Sequence, residues 1–363
     1  MATKSTTSKQ VDLVSIDTVR HDINAILADY FEQKIAFSSE LDDSYAELWR
    51  VTASVTQLGG KRFRPYLLLM TYQGLGGEHY NQVLPIAAAQ ELLHVSLLIH
   101  DDIADNDYIR HGQPNVAGTM RQKYRSLTTE QDATKYANNA ALLAGDLLIA
   151  GAHQLIAESG VSPKQKTQAM LVMGKGIDIV AGGQLLDMEH GLKSFNVKDS
   201  LKVANYKTSS YSFMVPLVIG AQLAGAGETT IKQCEELAFN LGIGFQLVDD
   251  LLGLYGDEEV TGKPILSDIR EGKHTYLMAQ TFALASSQQL KYLDKTLGDP
   301  NVTVKDLEVI RQIVDDCGAK QATIAKVQEC AKEARVIIER LPLQTQAKQA
   351  LEQFLVSAME RDH

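Results

Sequence analysis

Apolar residues recur at helical spacing in stretch after stretch of this chain, and glycine or proline closes each stretch off. From Asp17, the residues Val19, Ile23, Ile26, Leu27, Tyr30 and Phe31 share one face of an amphipathic helix. After a Gly-Gly-Lys-Arg turn at 59–62, "RPYLLLMTYQGLGG" reads as a helix ended by glycines. Pro85 suits a first helical turn, so a helix is expected from about Ile86 to Asp105. "GQP" at 112–114 marks a loop, and helical stretches follow over 130–158, 163–190, 198–224 and 228–255. "GDEEVTGKPILSDIREGK" at 256–273 is a polar, glycine-punctuated loop, with three more helices expected after it. No strand-like alternation of useful length, fixed-period repeat or low-complexity linker interrupts the pattern. The expectation is an all-α chain, with a polar tail over 1–14 and one large helical domain over 15–363.

At 363 residues and 45% hydrophobic content, the chain has ample material for a large core. Its net charge of −10 argues against nucleic acid as the main partner. A small phosphorylated ligand remains compatible, because it needs only a local basic pocket or metal ions. Cys234, Cys317 and Cys330 are odd in number and lack CxxC spacing, which points to neither a disulfide framework nor a zinc site. A reducing, cytoplasmic location is expected. The N-terminal segment lacks the apolar core of a signal peptide, and no run approaches the roughly 18 apolar residues of a membrane span.

The chemistry concentrates in "LLIHDDIADND" at 97–107, where an apolar run enters four aspartates. Asp101 and Asp105 stand at i and i+4, which puts both carboxylates on one helix face. Alone they repel. Mg2+ carried by a diphosphate fits them, because Mg2+ takes one or two carboxylates and completes its shell with water and phosphate oxygens. Asp102 points aside, in support. A solvated helix end is the ordinary explanation of an Asp-Asp pair, and Asp42-Asp43 and Asp315-Asp316 receive no role beyond it.

"GFQLVDDLLG" at 244–253 repeats the device, with Gln246 ahead of Asp249 and Asp250. Two such helices facing each other enclose a cavity with an acidic rim and apolar walls, suited to a diphosphate head and a hydrocarbon tail. "GGKRFRP" at 59–65 adds an anion site: its glycines let backbone approach a ligand, and Lys61, Arg62 and Arg64 supply charged donors.

In order, GGKRFRP, ELLHVSLLIHDDIADND, RHGQP, KTSSYSF, GFQLVDDLLG and GKPILSDIREGKHT resemble the motifs of trans-isoprenyl diphosphate synthases, over roughly residues 20 to 345. The resemblance implies a bundle of antiparallel helices around a deep central cavity, working as a homodimer. It implies head-to-tail condensation of isopentenyl diphosphate with an allylic diphosphate. Asp101, Asp105 and Asp249 then match the ligands of a cluster of about three Mg2+ ions, with Asp250 in support. Arg110, Lys207, Lys263 and Lys273 match residues that add positive charge to the allylic diphosphate. Thr208 and Gln246 resemble the polar groups facing the allylic cation, while Lys61, Arg64 and His94 match the isopentenyl diphosphate site. In the family's mechanism the released pyrophosphate removes the proton. Gln184 and Asp187 are expected to support the cavity wall, and His100 to be structural.

Two departures from the family pattern stand out. His111 replaces the second arginine of Arg-Arg-Gly, a residue that contacts isopentenyl diphosphate. With an ordinary pKa of about 6.5, His111 implies pH-sensitive binding of that substrate. Gly253 stands where many members carry a third aspartate. For product length, Ser96 and Leu97 precede Asp101 by five and four positions, and Leu93, Leu92 and Ala89 lie further down; none is aromatic. An open cavity follows, favouring geranylgeranyl or longer products over farnesyl. A non-catalytic partner subunit is the alternative from another class; it typically lacks the first aspartate motif or the basic turn, and both are intact here. A class I terpene cyclase or head-to-head condensing enzyme is a further alternative, without need for GGKRFRP.

Overall fold

The structure, a computed structural model, describes residues 13–58, 60–110, 112–190, 196–256 and 265–359. His111, Lys263 and Gly59 lie outside the described residues. Helix α1 (Ile16–Leu41) starts where the Ser15 hydroxyl accepts the Thr18 N–H, and it buries Val19, Ile23, Leu27, Tyr30 and Phe31. Helix α2 (Asp43–Gln57) is capped by Asp42, whose carboxylate accepts from the Ser44 and Tyr45 N–H groups. Asp42 therefore has a structural role that its neighbour Asp43 lacks. Helix α3 (Phe63–Gly74) follows, and then the apolar helix α4 (Tyr80–Ala104).

Helix α4 begins six residues earlier than expected, so Pro85 sits inside it. The missing donor at Pro85 leaves the carbonyl of Asn81 without its helical partner. Asn81 is exposed and lies in the first turn, where solvent can reach. A two-residue antiparallel ladder, Ile109–Arg110 (β1) with Gln113–Pro114 (β2), flanks the 112–114 turn. Then come α5 (Val116–Tyr124), α6 (Glu130–Glu158) and α7 (Pro163–His190), the last two with the expected limits.

The stretch expected as one helix over 198–224 is three joined pieces. Helix α8 (Val197–Ala204) runs into a ten-residue π-helix (Asn205–Met214), which runs into α9 (Val215–Leu223). Helix α10 (Glu228–Tyr255) carries the second aspartate motif. Beyond residue 275 the described residues form five helices rather than three: Tyr276–Leu284, Ser287–Thr296, Val304–Asp316, Ala319–Arg340 and Thr345–Met359. Short breaks capped by Ser286, Thr303 and Gly318 divide what a coarse periodicity merges.

Helix α4 packs along α6, α3 lies on α9, and α10 packs against both the π-helix and Ala319–Arg340. One large apolar core runs through these helices, and a smaller one gathers Leu251, Leu254, Leu277, Leu307 and Ile310. Four helices (Tyr80–Ala104, Glu130–Glu158, Pro163–Glu189 and Glu228–Tyr255) are long and apolar enough to cross a membrane by length and composition. The expectation that no stretch approaches such a span is corrected to that extent. In α4 the apolar surface is used inside the bundle, with 72% of that window buried.

Candidate active site

Helix α4 presents its two outward carboxylates where the sequence places them. Asp105 caps the helix and Asp101 stands one turn before it. Lys207, from the π-helix, lies 2.9 Å from Asp101 and 2.7 Å from Asp187 of α7. Burial raises the Asp101 carboxyl, but Lys207, Arg110 and Lys273 outweigh it and hold the group below its ordinary range. Asp105 goes the other way: burial and the neighbouring Asp101 push it up to about 6, against Lys273 and Lys207. Lys207 and Lys273 are also shared with Asp187, Asp268 and Glu271, so across the cluster five carboxylates meet two lysines and negative charge is in excess.

Lys273 stands 4.0 Å from Asp105, 3.5 Å from Asp268 and 2.8 Å from Glu271. Half-buried, it is nonetheless held more firmly protonated than usual by these three carboxylates. Asp102, on the inner side of α4, is buried and ion-paired with Arg110, whose Nε donates to Oδ1 at 3.0 Å. Arg110 is therefore anchored on Asp102, while Lys207 and Lys273 are anchored on other carboxylates.

On α10, Asp249 is exposed and Asp250 buried. Asp250 accepts from Gln246 Nε2 at 3.0 Å and from the Tyr276 N–H at 3.1 Å. Burial pushes its carboxyl up to about 7, against those two donors. Thr208 Oγ1 donates to Gln246 Oε1 at 2.6 Å. The π-helix therefore reaches α4 through Lys207 and α10 through Thr208, and ties the two acidic motifs together.

A second polar cluster lies further along the same π-helix. Arg64 is buried; its Nε and Nη2 donate to Ser212 Oγ at 3.1 and 2.9 Å, and Nη2 also reaches Tyr211 Oη at 3.3 Å. Its guanidinium sits 4.4 Å over the Phe63 ring, which packs on Phe213, Phe245 and Phe354. His94 stacks on Tyr211, with 3.3 Å between Nδ1 and the phenol oxygen. Lys61 is exposed at the head of α3. Lys61, Arg64 and His94 thus surround the start of α3 and one face of α4, with Tyr211 and Ser212 as partners.

Arg62 does not join them. It adopts a left-handed backbone (φ 49°) and turns its side chain inward. There it donates to Glu91 at 2.6 Å, Asn24 at 3.0 Å and the Thr56 carbonyl at 3.0 Å. The expectation that Arg62 supplies a phosphate donor is corrected: a guanidinium committed to a buried carboxylate is withdrawn from solvent. Gly60 has a matching reason to be glycine, since a Cβ there would lie 3.0 Å from Arg62 Nη1 and 3.5 Å from Glu91 Oε1. Gly60 makes room for the ion pair.

Ser96 and Leu93 are fully packed, while Leu97 is partly open. One turn either side of Ser96, Leu92 and His100 meet Gly151 and Gly145 of α6. Ser96 therefore lies in the α4–α6 seam, and Leu97, one turn before Asp101, lies on the carboxylate face. His100 is structural as expected, bonding the Leu142 carbonyl at 3.3 Å. Gln184 is half-buried on α7, one turn before Asp187. Sequence grounds assign nothing to Tyr211, Ser212, Asp268, Glu271 or Glu91. All five lie inside quoted motifs; the first four stand at helical or loop spacing from a lysine, which is a usable signal, whereas nothing local to Glu91 points to Arg62, 29 positions away.

Among the described residues, no three acidic, histidine or cysteine side chains converge to hold a metal ion by themselves. That agrees with the donor set. Paired hard oxygens with surplus negative charge, open to a phosphate ligand, suit Mg2+, which keeps waters and binds through few carboxylates.

Fold and site together define an all-α bundle built to hold phosphorylated ligands between two acidic helix ends. The model of the polyprenyl synthetase family matches residues 46–315. A geranylgeranyl diphosphate synthase of Sulfolobus acidocaldarius is 34% identical over 77% of this chain and 81% of its own. A geranylfarnesyl diphosphate synthase of Aeropyrum pernix is 35% identical over 84% of this chain and 91% of its own. The crystal structure of a geranylgeranyl pyrophosphate synthase from Corynebacterium glutamicum, complexed with isoprenyl diphosphate and magnesium, superposes with a TM-score of 0.91. It is 26% identical and covers 96% of this chain and 100% of its own. The chain belongs to the polyprenyl synthetase family, the trans-isoprenyl diphosphate synthases, and is a prenyltransferase.

Proposed function

We propose that this prenyltransferase adds isopentenyl diphosphate units in sequence to an allylic diphosphate and releases geranylgeranyl diphosphate or a longer all-trans product. The observation that carries the reading is the π-helix. Its Lys207 and Thr208 stand with the two acidic motifs, and its Tyr211 and Ser212 stand with Arg64 and His94.

Asp101, Asp105 and Asp249 would hold a cluster of about three Mg2+ ions. When bound, those ions stabilise the negative charge that builds on the departing diphosphate. Lys207 and Lys273 bind the same diphosphate, already held protonated by their carboxylate partners. Arg110, fixed by Asp102, adds charge from the β-ladder, and Lys263 does so from the 256–273 loop. Once the carbon–oxygen bond breaks, the Thr208 and Gln246 oxygens face the allylic cation. Their mutual hydrogen bond and the Gln246–Asp250 bond fix both side chains before reaction. Lys61, Arg64, His94 and His111 hold isopentenyl diphosphate so that its double bond attacks the cation, and the released pyrophosphate takes the proton. The partly open Leu97 borders the growing tail.

We read residues 15–363 as one domain in the cytoplasm, consistent with three unpaired cysteines, and the protein as a homodimer. Tyr136, Leu142 and Leu143 leave an exposed apolar face on α6 for the second copy. Incubation with labelled isopentenyl diphosphate, Mg2+ and in turn dimethylallyl, geranyl and farnesyl diphosphates tests the reading by product mass. A twenty-carbon or longer diphosphate is expected. A hydrocarbon would indicate a cyclase, and no turnover would indicate a partner subunit.

A further inference from the structure

The π-helix Asn205–Met214 is ten residues long, where most π-helical segments are single turns. A π-helix is wider than an α-helix, so its neighbours must give way. They do so at two glycines. On α7, a Cβ at Gly183 would lie 2.7 Å from the Lys207 nitrogen and 2.8 Å from the Tyr206 carbonyl carbon. On α10, a Cβ at Gly242 would lie 2.2 Å from Ser209 Oγ, 2.4 Å from its Cα and 2.5 Å from its Cβ. Backbone atoms are among the obstacles on both sides, so a rotamer change cannot relieve the overlap. Gly182, beside Gly183, lacks this constraint, with nothing within 4 Å of its would-be Cβ.

The width has a consequence for side-chain direction. Bonding from i to i+5 implies about 4.4 residues per turn, which sets Lys207 and Ser212 about 50° apart around the axis, against about 140° in an α-helix. One face can then carry Lys207 towards Asp101 while Tyr211 and Ser212 meet His94 and Arg64.

We infer that Gly183 and Gly242 are positioning residues for both substrates: their missing side chains admit the π-helix, and the π-helix aims Lys207 and Thr208 at one diphosphate and Tyr211 and Ser212 at the holders of the other. This rests on the substrate roles proposed above for those groups. A methyl at either glycine pushes on backbone within two residues of Lys207 or Thr208, so both subsites move together.

The test compares full-length wild type, Gly183→Ala, Gly242→Ala and Gly182→Ala by steady-state kinetics with both substrates, alongside thermal unfolding. Alanine favours helix over glycine, so propensity alone predicts a gain in stability. In Gly183→Ala and Gly242→Ala, kcat is expected to fall about tenfold or more, and KM for isopentenyl diphosphate to rise at least about threefold. Gly182→Ala is expected to stay within about twofold of wild type on both. If Gly242→Ala fails to fold, adding Ser209→Gly removes two of the three atoms the methyl meets, and the same pair of constants is read there. Unchanged kcat and KM in the folded glycine variants, with only the unfolding temperature altered, would overturn the inference. Absence of condensation by the wild type would instead refute the proposed function.

Discussion

Replacing Arg62 with alanine separates the fold-bearing arginine of GGKRFRP from the substrate-binding one. Arg62 and Glu91 are 2.6 Å apart with side chains only 3% and 4% exposed. Alanine strands the Glu91 carboxylate in the core, which costs about 3–5 kcal/mol. It also removes the donors to Asn24 and the Thr56 carbonyl, worth about 1 kcal/mol each. The backbone term is near zero, since arginine and alanine are alike at φ 49°, and hydration of the vacated space would offset part of the loss. A net loss of about 4 kcal/mol is expected, a large part of a stability of about 5–15 kcal/mol. The assay is urea unfolding of wild type, Arg62→Ala and the double variant Arg62→Met/Glu91→Leu, with KM for isopentenyl diphosphate measured at low temperature. Arg62→Ala should lose stability with KM nearly unchanged, and the double variant should regain most of the loss because no charge is left buried. A stability loss under about 1 kcal/mol, together with a raised KM, would refute the assignment of Arg62 to the core.

Arg64→Ala should show the reverse pattern, with KM for isopentenyl diphosphate raised at least about tenfold by loss of a charged donor; kinetics and unfolding on one preparation check it. In the metal-free protein, Asp250 keeps its proton up to about pH 7, whereas an unfolded carboxyl releases it near 4. The folded state therefore binds more protons between those values, and stability should fall as pH rises through that interval; Asp250→Asn should flatten the fall in a series of urea titrations. Leu97→Phe should shorten the product, read by mass, whereas Ser96→Phe should overpack the α4–α6 seam and cost about 1–3 kcal/mol. Leu143→Glu on the exposed face of α6 should shift sedimentation towards a monomer.

Long helices were legible because their ends carry chemistry that only ends tolerate. Thr129 precedes α6, Pro163 opens α7, and Gly227 and Gly256 flank α10. The π-helix was not legible, since its polar and apolar residues also satisfy an α-helical reading over 198–224; only packing against Gly183 and Gly242 distinguishes the two. Pro85 misled because it is accommodated as the sixth residue of α4, where the carbonyl it frees belongs to exposed Asn81 in the helix's first turn. The roles expected of Asp249 and Asp250 came from motif likeness; the structure adds that the first is exposed and the second buried. The fate of Arg62 was not legible, because a left-handed residue reverses the direction its neighbours suggest. Lys207 and Lys273 could be named from motif likeness; Asp187 became the partner of Lys207 only through tertiary contact, whereas Asp268 and Glu271 pair with Lys273 within one loop.

The central claim is that one π-helix organises two separate diphosphate sites. A crystal structure with Mg2+, isopentenyl diphosphate and an unreactive thio-analogue of farnesyl diphosphate measures it directly. The account predicts the thio-diphosphate against Asp101, Asp105, Asp249, Lys207 and Lys273, and isopentenyl diphosphate against Lys61, Arg64 and His94. An isopentenyl diphosphate bound away from Arg64 and His94, or a π-helix that rewinds to an α-helix on binding, would contradict it.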